Sequence, residues 1–259
     1  MASMTAVASA VVPTYYRSTQ VDGLNIAYRE AGDPGSPKLV LLHGFPASSH
    51  QYRDLIPALA TRFHVIAPDY PGFGNSDMPD PATFAYTFDR ISETIEAFLN
   101  DRGFDHYGLF VQDYGGPVGF RIVTRHPEAL DWLIIQNTNA YEVGFTSAWD
   151  GLRGALWKNR SSETEKPLTA FLENDTIKSI YLFGAENPER ISPDTGRPTR
   201  ASCNGRTPSA SSSICSTTTA PTSSCIPSGR RFYASGSRKP SSSGASATSS
   251  SLRKGAKRI

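Results

Sequence analysis

Short apolar segments alternate along the chain with longer segments whose apolar residues recur at helical spacing. Three apolar runs have the length of buried strands, at Lys38 to Leu42, His64 to Pro68 and Leu130 to Gln136. Gln51 to Arg62 and Thr87 to Asn100 place apolar residues three and four positions apart, which is typical of amphipathic helices. Because strands that alternate with helices favour parallel pairing, the pattern predicts an α/β protein with a mostly parallel sheet.

A sharp strand-to-helix turn is predicted at the run Val111-Gln112-Asp113-Tyr114-Gly115-Gly116. The run follows an apolar stretch, Tyr107 to Phe110, and precedes a helix-like one, Pro117 to Arg125. Its two glycines allow the backbone to take strained dihedral angles without steric clashes. Free N–H groups at the start of the next helix would face negative charge that develops at the turn. The pattern is typical of a nucleophile elbow with aspartate at its apex.

A carboxylate at the apex determines which reactions are chemically sensible. Attack on a carboxylic ester would give a reactive anhydride, whereas attack on a saturated carbon that bears a halide or an epoxide oxygen gives an ordinary ester. Water can later cleave that ester. The alternative is that Asp113 is a plain turn residue, and the short motif alone leaves both interpretations open.

Two further motifs follow the first two predicted strands. His43-Gly44-Phe45-Pro46 follows the first strand, and a glycine-rich loop from Asp69 to Asp77 follows the second. Together with the elbow, these ordered motifs resemble the α/β-hydrolase superfamily, in the branch with an aspartate nucleophile that contains haloalkane dehalogenases and epoxide hydrolases. The resemblance covers roughly residues 20 to 194. It implies an α/β-hydrolase fold with a partial helical cap, acting on a small-molecule epoxide or halogenated alkane.

The resemblance also assigns expected roles to individual residues. Asp113 would be the nucleophile, and the backbone N–H groups of Phe45 and Tyr114 would form the oxyanion hole. His43 is expected to shape its loop through hydrogen bonds, not to act as the base. Asp69 and Asp77 are expected to stabilise turns, without a catalytic role. Some relatives have the triad acid directly after the strand that ends at Gln136, but this chain has Asn137, Thr138 and Asn139 there.

Residues 140–194 have apolar residues in helix-like arrays and are expected to form the partial cap. Tyr141 and Tyr181 are candidate phenols that could protonate an epoxide oxygen, and Trp149 and Trp157 are candidate N–H donors to a halide. The preferred interpretation of each of these aromatics is that it belongs to the hydrophobic core of the cap, because aromatics at helical spacing usually pack. Phe45-Pro46 favours an epoxide hydrolase and Gln112 a dehalogenase, so the leaving group stays open.

Composition divides the chain at Asp194. All 24 acidic residues lie at or before it, together with 15 of the 26 Lys and Arg, so the net charge is −9 up to this point and +11 beyond it. Residues 195–259 are rich in Ser and Arg, contain all three cysteines and lack apolar periodicity. We expect this basic tail to be disordered, with no disulfide framework, and to replace the last strands of the sheet.

A shifted reading frame would explain this tail. With one base lost near Thr195, the residues Thr195 to Ile259 can be read back as a string that regains acidic residues, aromatics and helical patterns. The string contains LIFWGQRD, which resembles the strand and loop where such hydrolases have the triad aspartate. The alternative function is a noncatalytic binding module whose basic tail interacts with nucleic acid. A nucleic-acid partner is less favoured than a small-molecule substrate.

The five histidines are His43, His50, His64, His106 and His126, and all precede the cap. Since the family's general base lies on a loop near the C-terminus, the chain as written is expected to stop at the alkyl ester. An exposed sheet edge would also make it poorly soluble.

Residues 1–19 are taken as an N-terminal extension without the basic region of a signal peptide, and no run has the length of a membrane span. The sequence predicts a cytoplasmic hydrolase without metal or cofactor.

Overall fold

A computed structural model of the protein describes residues 11–151, 154, 161, 163–164 and 173–195. In these residues, six strands form one sheet, and four α-helices have defined bounds. The strands are β1 (Thr14–Val21), β2 (Leu24–Ala31), β3 (Lys38–Leu42), β4 (His64–Pro68), β5 (Tyr107–Gln112) and β6 (Leu130–Gln136). The helices are α1 (Leu55–Leu59), α2 (Phe88–Asp101), α3 (Gly115–Arg125) and α4 (Asn174–Leu182).

The strand order is β1-β2-β4-β3-β5-β6. β1, β2 and β4 pair antiparallel, while β4, β3, β5 and β6 run parallel to their neighbours. The predicted parallel α/β sheet is therefore confirmed for its central strands. Because β3 and β5 are parallel neighbours, with Leu42 opposite Val111, the loops that follow them leave the same edge of the sheet side by side. This adjacency determines where the candidate site lies.

The core lies on both faces of the sheet. Successive residues of β3 alternate between two hydrophobic clusters, because side chains along a strand point to opposite faces. Leu39 and Leu41 join the cluster that contains Ile56 of α1, whereas Val40 and Leu42 join the cluster that contains residues of α2 and α3. A strand buried on both faces must be apolar throughout, which is why β3 appears in the sequence as an uninterrupted apolar run.

Helix α2 forms because its sequence combines an N-cap with an apolar stripe. The Thr87 hydroxyl accepts a hydrogen bond from the Arg90 N–H at 3.1 Å, which satisfies one free donor of the first turn. Ile91, Ile95 and Phe98 recur at helical spacing and are fully buried against the sheet. The helix therefore covers the face of the sheet that also packs against α3.

The helix predicted over Gln51 to Arg62 is instead two pieces, so this prediction was wrong in its extent. A 3-10 helix at Ser49–Tyr52 is followed by the short α1. Pro57 explains the break, because it has no N–H to donate to the Arg53 carbonyl and its ring would clash with that carbonyl in a continuous helix. Helix α1 tolerates this proline because it lies in the first turn.

The boundaries proposed at the two ends of the hydrolase segment can be compared with the observed strands and helices. β1 begins at Thr14, so part of the segment 1–19 belongs to the sheet as a strand paired with β2. In the proposed cap, the structure describes 3-10 turns and α4; the turns are Glu142–Gly144, Ser147–Trp149 and Pro188–Arg190. Residues 196–259 and Trp157 lie outside the described residues. None of the helices in the described part is long and apolar enough to cross a membrane.

Candidate active site

The elbow after β5 holds Asp113 in a left-handed backbone conformation, with φ of 50°. Left-handed geometry is uncommon for residues other than glycine, and Asp tolerates it better than most. Two close approaches require the following glycines. A Cβ on Gly115 would collide with the carbonyl of Leu42, and a Cβ on Gly116 would collide with the Thr138 side chain. The local sequence therefore permits a turn that lifts Asp113 above the sheet.

Two backbone N–H groups hold one oxygen of the Asp113 carboxylate. The N–H of Phe45, in the loop after β3, and the N–H of Tyr114, at the elbow, each donate to Asp113 Oδ1 at 2.7 Å. These are the two donors that the sequence assigned to an oxyanion hole. Gly44 allows the close approach of the two segments, since a Cβ there would lie 2.5 Å from the Asp113 Cβ. The arrangement can stabilise negative charge on Oδ1.

The electrostatic environment of Asp113 is set by two opposing effects. Loss of solvent raises the pKa of the carboxyl group, and the hydrogen bonds from the Phe45 and Tyr114 N–H groups lower it; the first effect is the larger. The ionised carboxylate is consequently poorly solvated outside its two hydrogen bonds. An anion in such surroundings is a better nucleophile than one fully hydrated in water.

A cavity of about 290 Å³ opens above the elbow. Its described lining residues come from the elbow, the start of α2 and α3, the end of β6 and the first turns of the cap; they are Phe88, Asp113, Tyr114, Pro117, Asn137, Thr138, Asn139, Gly144, Phe145 and Trp149. The cavity has the size and mixed lining of a site for a small organic molecule.

Of the predicted cap residues that the structure describes, one lies at the cavity. Trp149 lines the cavity, in a pair with Phe145 whose ring centroids are 5.6 Å apart. Tyr141 is 46% exposed, and neither it nor Tyr181 of α4 belongs to the described lining. Of the four candidates, only Trp149 therefore lies at the cavity in the part of the chain that can be described.

Thr138 supports the elbow, a role that the sequence did not reveal. Its hydroxyl donates to the Asp113 carbonyl at 2.6 Å. The preceding Asn137 has φ of 43°, so a left-handed turn after β6 directs Thr138 back toward the elbow. In the sequence, residues 137–139 are distinctive only because no acid is present among them. The turn-favouring residue Asn137 was the one available signal, because Asn adopts left-handed geometry more readily than most residues.

His43 is fully buried beside the oxyanion loop and does not belong to the described cavity lining. Its Nδ1 lies 3.0 Å from the Gly44 carbonyl, and its ring stacks on Tyr70 with centroids 4.0 Å apart. Burial lowers its pKa, which favours the neutral ring. Asp69 accepts backbone hydrogen bonds from Ser49 at 2.7 Å and Asn75 at 2.9 Å. Both side chains therefore support loops that surround the site.

Three of the other histidines, His50, His64 and His126, belong to polar networks away from the cavity. His64 Nε2 lies 2.7 Å from Glu30 Oε1, and His126 Nε2 lies 2.8 Å from Glu96 Oε1. His50 Nδ1 contacts the Arg29 guanidinium at 3.0 Å. None of the five histidines is among the described residues that line the cavity. Over the described residues, no cluster of His, Cys, Asp or Glu is arranged to hold a metal ion.

Comparison with known proteins shows similarity to hydrolases. Residues 37–176 match the family described as alpha/beta hydrolase fold. The uncharacterized hydrolase YNR064C of Saccharomyces cerevisiae is 38% identical over 188 residues, covering 71% of this chain and 64% of the yeast protein. A haloalkane dehalogenase of Bradyrhizobium diazoefficiens is 38% identical over 112 residues, covering 43% of this chain and 35% of that protein.

A solved structure gives the same fold at lower sequence identity. The structure of the epoxide hydrolase CorEH without ligand superposes with a TM-score of 0.63 at 23% identity, over 80% of this chain and 74% of that chain. This likeness concerns the fold. The chain spans less than two thirds of the length of the two curated relatives, at 64% and 35%.

Proposed function

This chain belongs to the α/β-hydrolase fold family, and we propose that it uses Asp113 as a nucleophile toward a small molecule with a halide or an epoxide oxygen on a saturated carbon. The proposal rests on the two hydrogen bonds that fix the orientation of the carboxylate. Asp113 Oδ1 accepts hydrogen bonds of 2.7 Å from both the Phe45 and the Tyr114 N–H groups, at the wall of a cavity large enough for such a molecule.

The two hydrogen bonds give the carboxylate oxygens different roles. With Oδ1 fixed, Oδ2 is the oxygen that attacks the saturated carbon. A bond forms between Oδ2 and this carbon while the bond to the leaving group breaks, and the leaving group takes the electron pair. The product is an alkyl ester of Asp113. Holding the carboxylate in one orientation favours this step, because the side chain has less rotational freedom left to lose at the transition state.

Release of the product requires a second reaction. Water must attack the ester carbonyl, and the developing charge on Oδ1 would lie between the same two N–H groups. The water must also lose a proton to a general base. Because none of the five histidines lines the described cavity, and Asn137, Thr138 and Asn139 follow β6 in place of an acid, we propose that this chain stops at the ester.

The polar groups of the cavity favour a halide over an epoxide as the leaving group. Halide ions are stabilised by N–H donors, and the described lining contains the Trp149 indole and the amides of Asn137 and Asn139. An epoxide oxygen instead needs a proton from an acidic group such as a phenol. Tyr141 and Tyr181, the phenols expected to fill this role, do not belong to the described lining. Tyr114 does belong to it, with its ring packed against those of Phe45, Phe73 and Phe88. We therefore favour a haloalkane, with an epoxide as the second candidate.

Intact-mass measurement of the purified chain tests this proposal. Parallel samples are incubated with a primary bromoalkane and with the terminal epoxide of the same carbon skeleton. We expect one alkyl group to be added by the bromoalkane, with no further turnover, and slower or no addition by the epoxide. The matched control is Asp113→Asn, which keeps the size of the side chain and removes the nucleophile.

Three outcomes would contradict the proposed function. Equal labelling of the Asp113→Asn variant would place the reaction at another residue. Catalytic release of bromide without a lasting adduct would contradict the proposed stop at the ester. A folded chain that forms no adduct with either compound would contradict the nucleophile itself and favour a noncatalytic binding module.

A further inference from the structure

The Gln51 side chain connects the two segments that form the oxyanion hole. Its Oε1 accepts a hydrogen bond from the Gly44 N–H at 3.3 Å, and its Nε2 donates to Gln112 Oε1 at 3.2 Å. Gly44 directly precedes Phe45, and Gln112 directly precedes Asp113. The amide therefore bridges the loop after β3 and the elbow after β5 beside the residues that hold the carboxylate.

The separation of these two segments determines the geometry of the hole. One N–H belongs to Phe45 and the other to Tyr114, which are far apart along the chain, so only tertiary contacts fix the distance between them. The segments are already in close contact, because a Cβ on Gly44 would lie 2.5 Å from Gln112 Oε1 and from the Asp113 Cβ. A small shift of either segment would therefore change both hydrogen bonds to Asp113 Oδ1.

An amide fits this position because it supplies one acceptor and one donor on the same planar group. An aliphatic side chain of the same length would supply neither. It would leave the Gly44 N–H and the side-chain Oε1 of Gln112 without this partner at a partly buried position.

The 3-10 helix that contains Gln51 is itself firmly attached to the sheet. The Tyr52 hydroxyl donates to the Leu42 carbonyl at 2.8 Å, and the Ser49 N–H donates to Asp69 Oδ1 at 2.7 Å. Both bonds are buried. Gln51 thus extends toward both segments from a 3-10 helix that is held in place by buried hydrogen bonds.

We propose that Gln51 is a positioning residue, which keeps the Phe45 and Tyr114 N–H groups at the separation that orients Asp113 for attack. The inference deepens the proposed function and rests on it for its effect on reaction rate. Gln51 does not touch the reacting atoms, and its contribution passes through Gly44 and Gln112.

The first test measures the rate of Asp113 alkylation by a primary bromoalkane in Gln51→Met, which keeps the length of the side chain and removes both hydrogen bonds. We expect the maximal rate per folded molecule to fall about 10-fold, because misorientation of a reacting group by a fraction of an ångström has effects of this order. The bromoalkane concentration that gives half the maximal rate should stay unchanged. Gln20→Met, an identical change at an exposed position of β1, is the matched control.

A double-variant cycle tests the bridge itself. Gln112→Met removes the other end of the connection, so the double variant should be hardly slower than either single variant if both act through one contact. Independent losses that multiply in the double variant would contradict a shared bridge.

A second readout does not depend on alkylation. The two hole N–H groups lower the pKa of Asp113, so weaker hydrogen bonds in Gln51→Met should raise it, as followed by carbon NMR of the carboxyl group. The Asp113→Asn variant identifies the resonance.

These two readouts separate the two hypotheses. If the wild type forms the adduct but Gln51→Met changes neither rate nor pKa, the positioning role is wrong and the proposed function stands. A Gln51→Met variant that only unfolds more easily, with unchanged rate per folded molecule and unchanged pKa, also overturns the positioning role. If the wild type forms no adduct but Gln51→Met raises the pKa, the proposed function fails and the control of the hole geometry by Gln51 is supported.

Discussion

Asp113 combines three features that are seldom found together in an ordinary turn residue. Its backbone is left-handed, its carboxylate has lost much of its solvent, and one oxygen accepts two backbone hydrogen bonds from different segments. Strained backbone and desolvated charge cost stability, and they cluster at functional sites. Their coincidence at one residue on a cavity wall is the strongest argument that Asp113 is the reactive group.

The raised pKa of Asp113 predicts how alkylation depends on pH. Only the ionised carboxylate attacks, and burial shifts the pKa above that of an ordinary aspartate. Lowering the pH should therefore reduce the alkylation rate, with the half-maximal rate at a higher pH than an exposed aspartate would give. Rates of adduct formation by mass spectrometry over about pH 4 to 8 check this. A half-maximal rate at or below the pH of an ordinary aspartate would contradict it, and Asp113→Asn should form no adduct at any pH.

Sequence and structure agree best at the residues that belong to contiguous motifs. The strand, the glycines and the following helix all adjoin Asp113, so its elbow could be predicted from local rules. Gln51 and Thr138 could not, because each contacts the elbow across a long stretch of chain and neither belongs to a recognisable pattern. The aromatic residues of the cap were ambiguous for the same reason, and only the tertiary structure distinguishes Trp149 at the cavity from the exposed Tyr141.

The predicted strands β3, β4 and β6 have the bounds that their apolar runs indicated. The parallel strands β3 and β4 are buried on both faces, and such strands require continuous apolar sequence, which makes their ends visible. The helix over Gln51 to Arg62 was predicted as one piece because spacing alone does not account for the effect of Pro57 on the turn before it. Local geometry there overrides the apolar pattern.

The Thr87 cap predicts a measurable contribution to the stability of α2. Replacing Thr87 with Ala removes the acceptor for the Arg90 N–H and should lower the free energy of unfolding by about 1 kcal/mol. Chemical denaturation of both proteins measures the difference. Thr83→Ala, in the exposed loop before α2, removes a hydroxyl that donates to the Asp80 carbonyl and should change stability by less than about 0.5 kcal/mol. Equal effects of the two changes would contradict the capping role.

Strand β6 forms one outer edge of the sheet. Among the described strands, none pairs with the outer side of β6. Ile134 and Ile135 point to opposite faces of this strand and are 45% and 50% exposed. An edge strand with exposed apolar side chains can pair with other chains. The sequence predicted such an edge and, from it, low solubility.

A charge on this edge should therefore reduce self-association. We expect Ile135→Lys to lower the scattering of concentrated solutions, because a lysine on an edge strand opposes pairing with another chain. The matched control is Val143→Lys, since Val143 is 90% exposed and lies outside the strands. Static light scattering over a concentration series compares the three proteins. Self-association that falls equally with both variants would show that net charge, and not the β6 edge, is responsible.

In the proposed function, a single carboxylate, that of Asp113, forms the covalent ester. Peptide mapping by tandem mass spectrometry after incubation with a primary bromoalkane tests it most directly, since the modified residue is identified without reference to turnover. We expect one alkyl group on the peptide that contains Gln112 to Gly116, located on Asp113 and absent from Asp113→Asn. An alkyl group distributed over exposed carboxylates, with Asp113 unmodified in a folded chain, would contradict it.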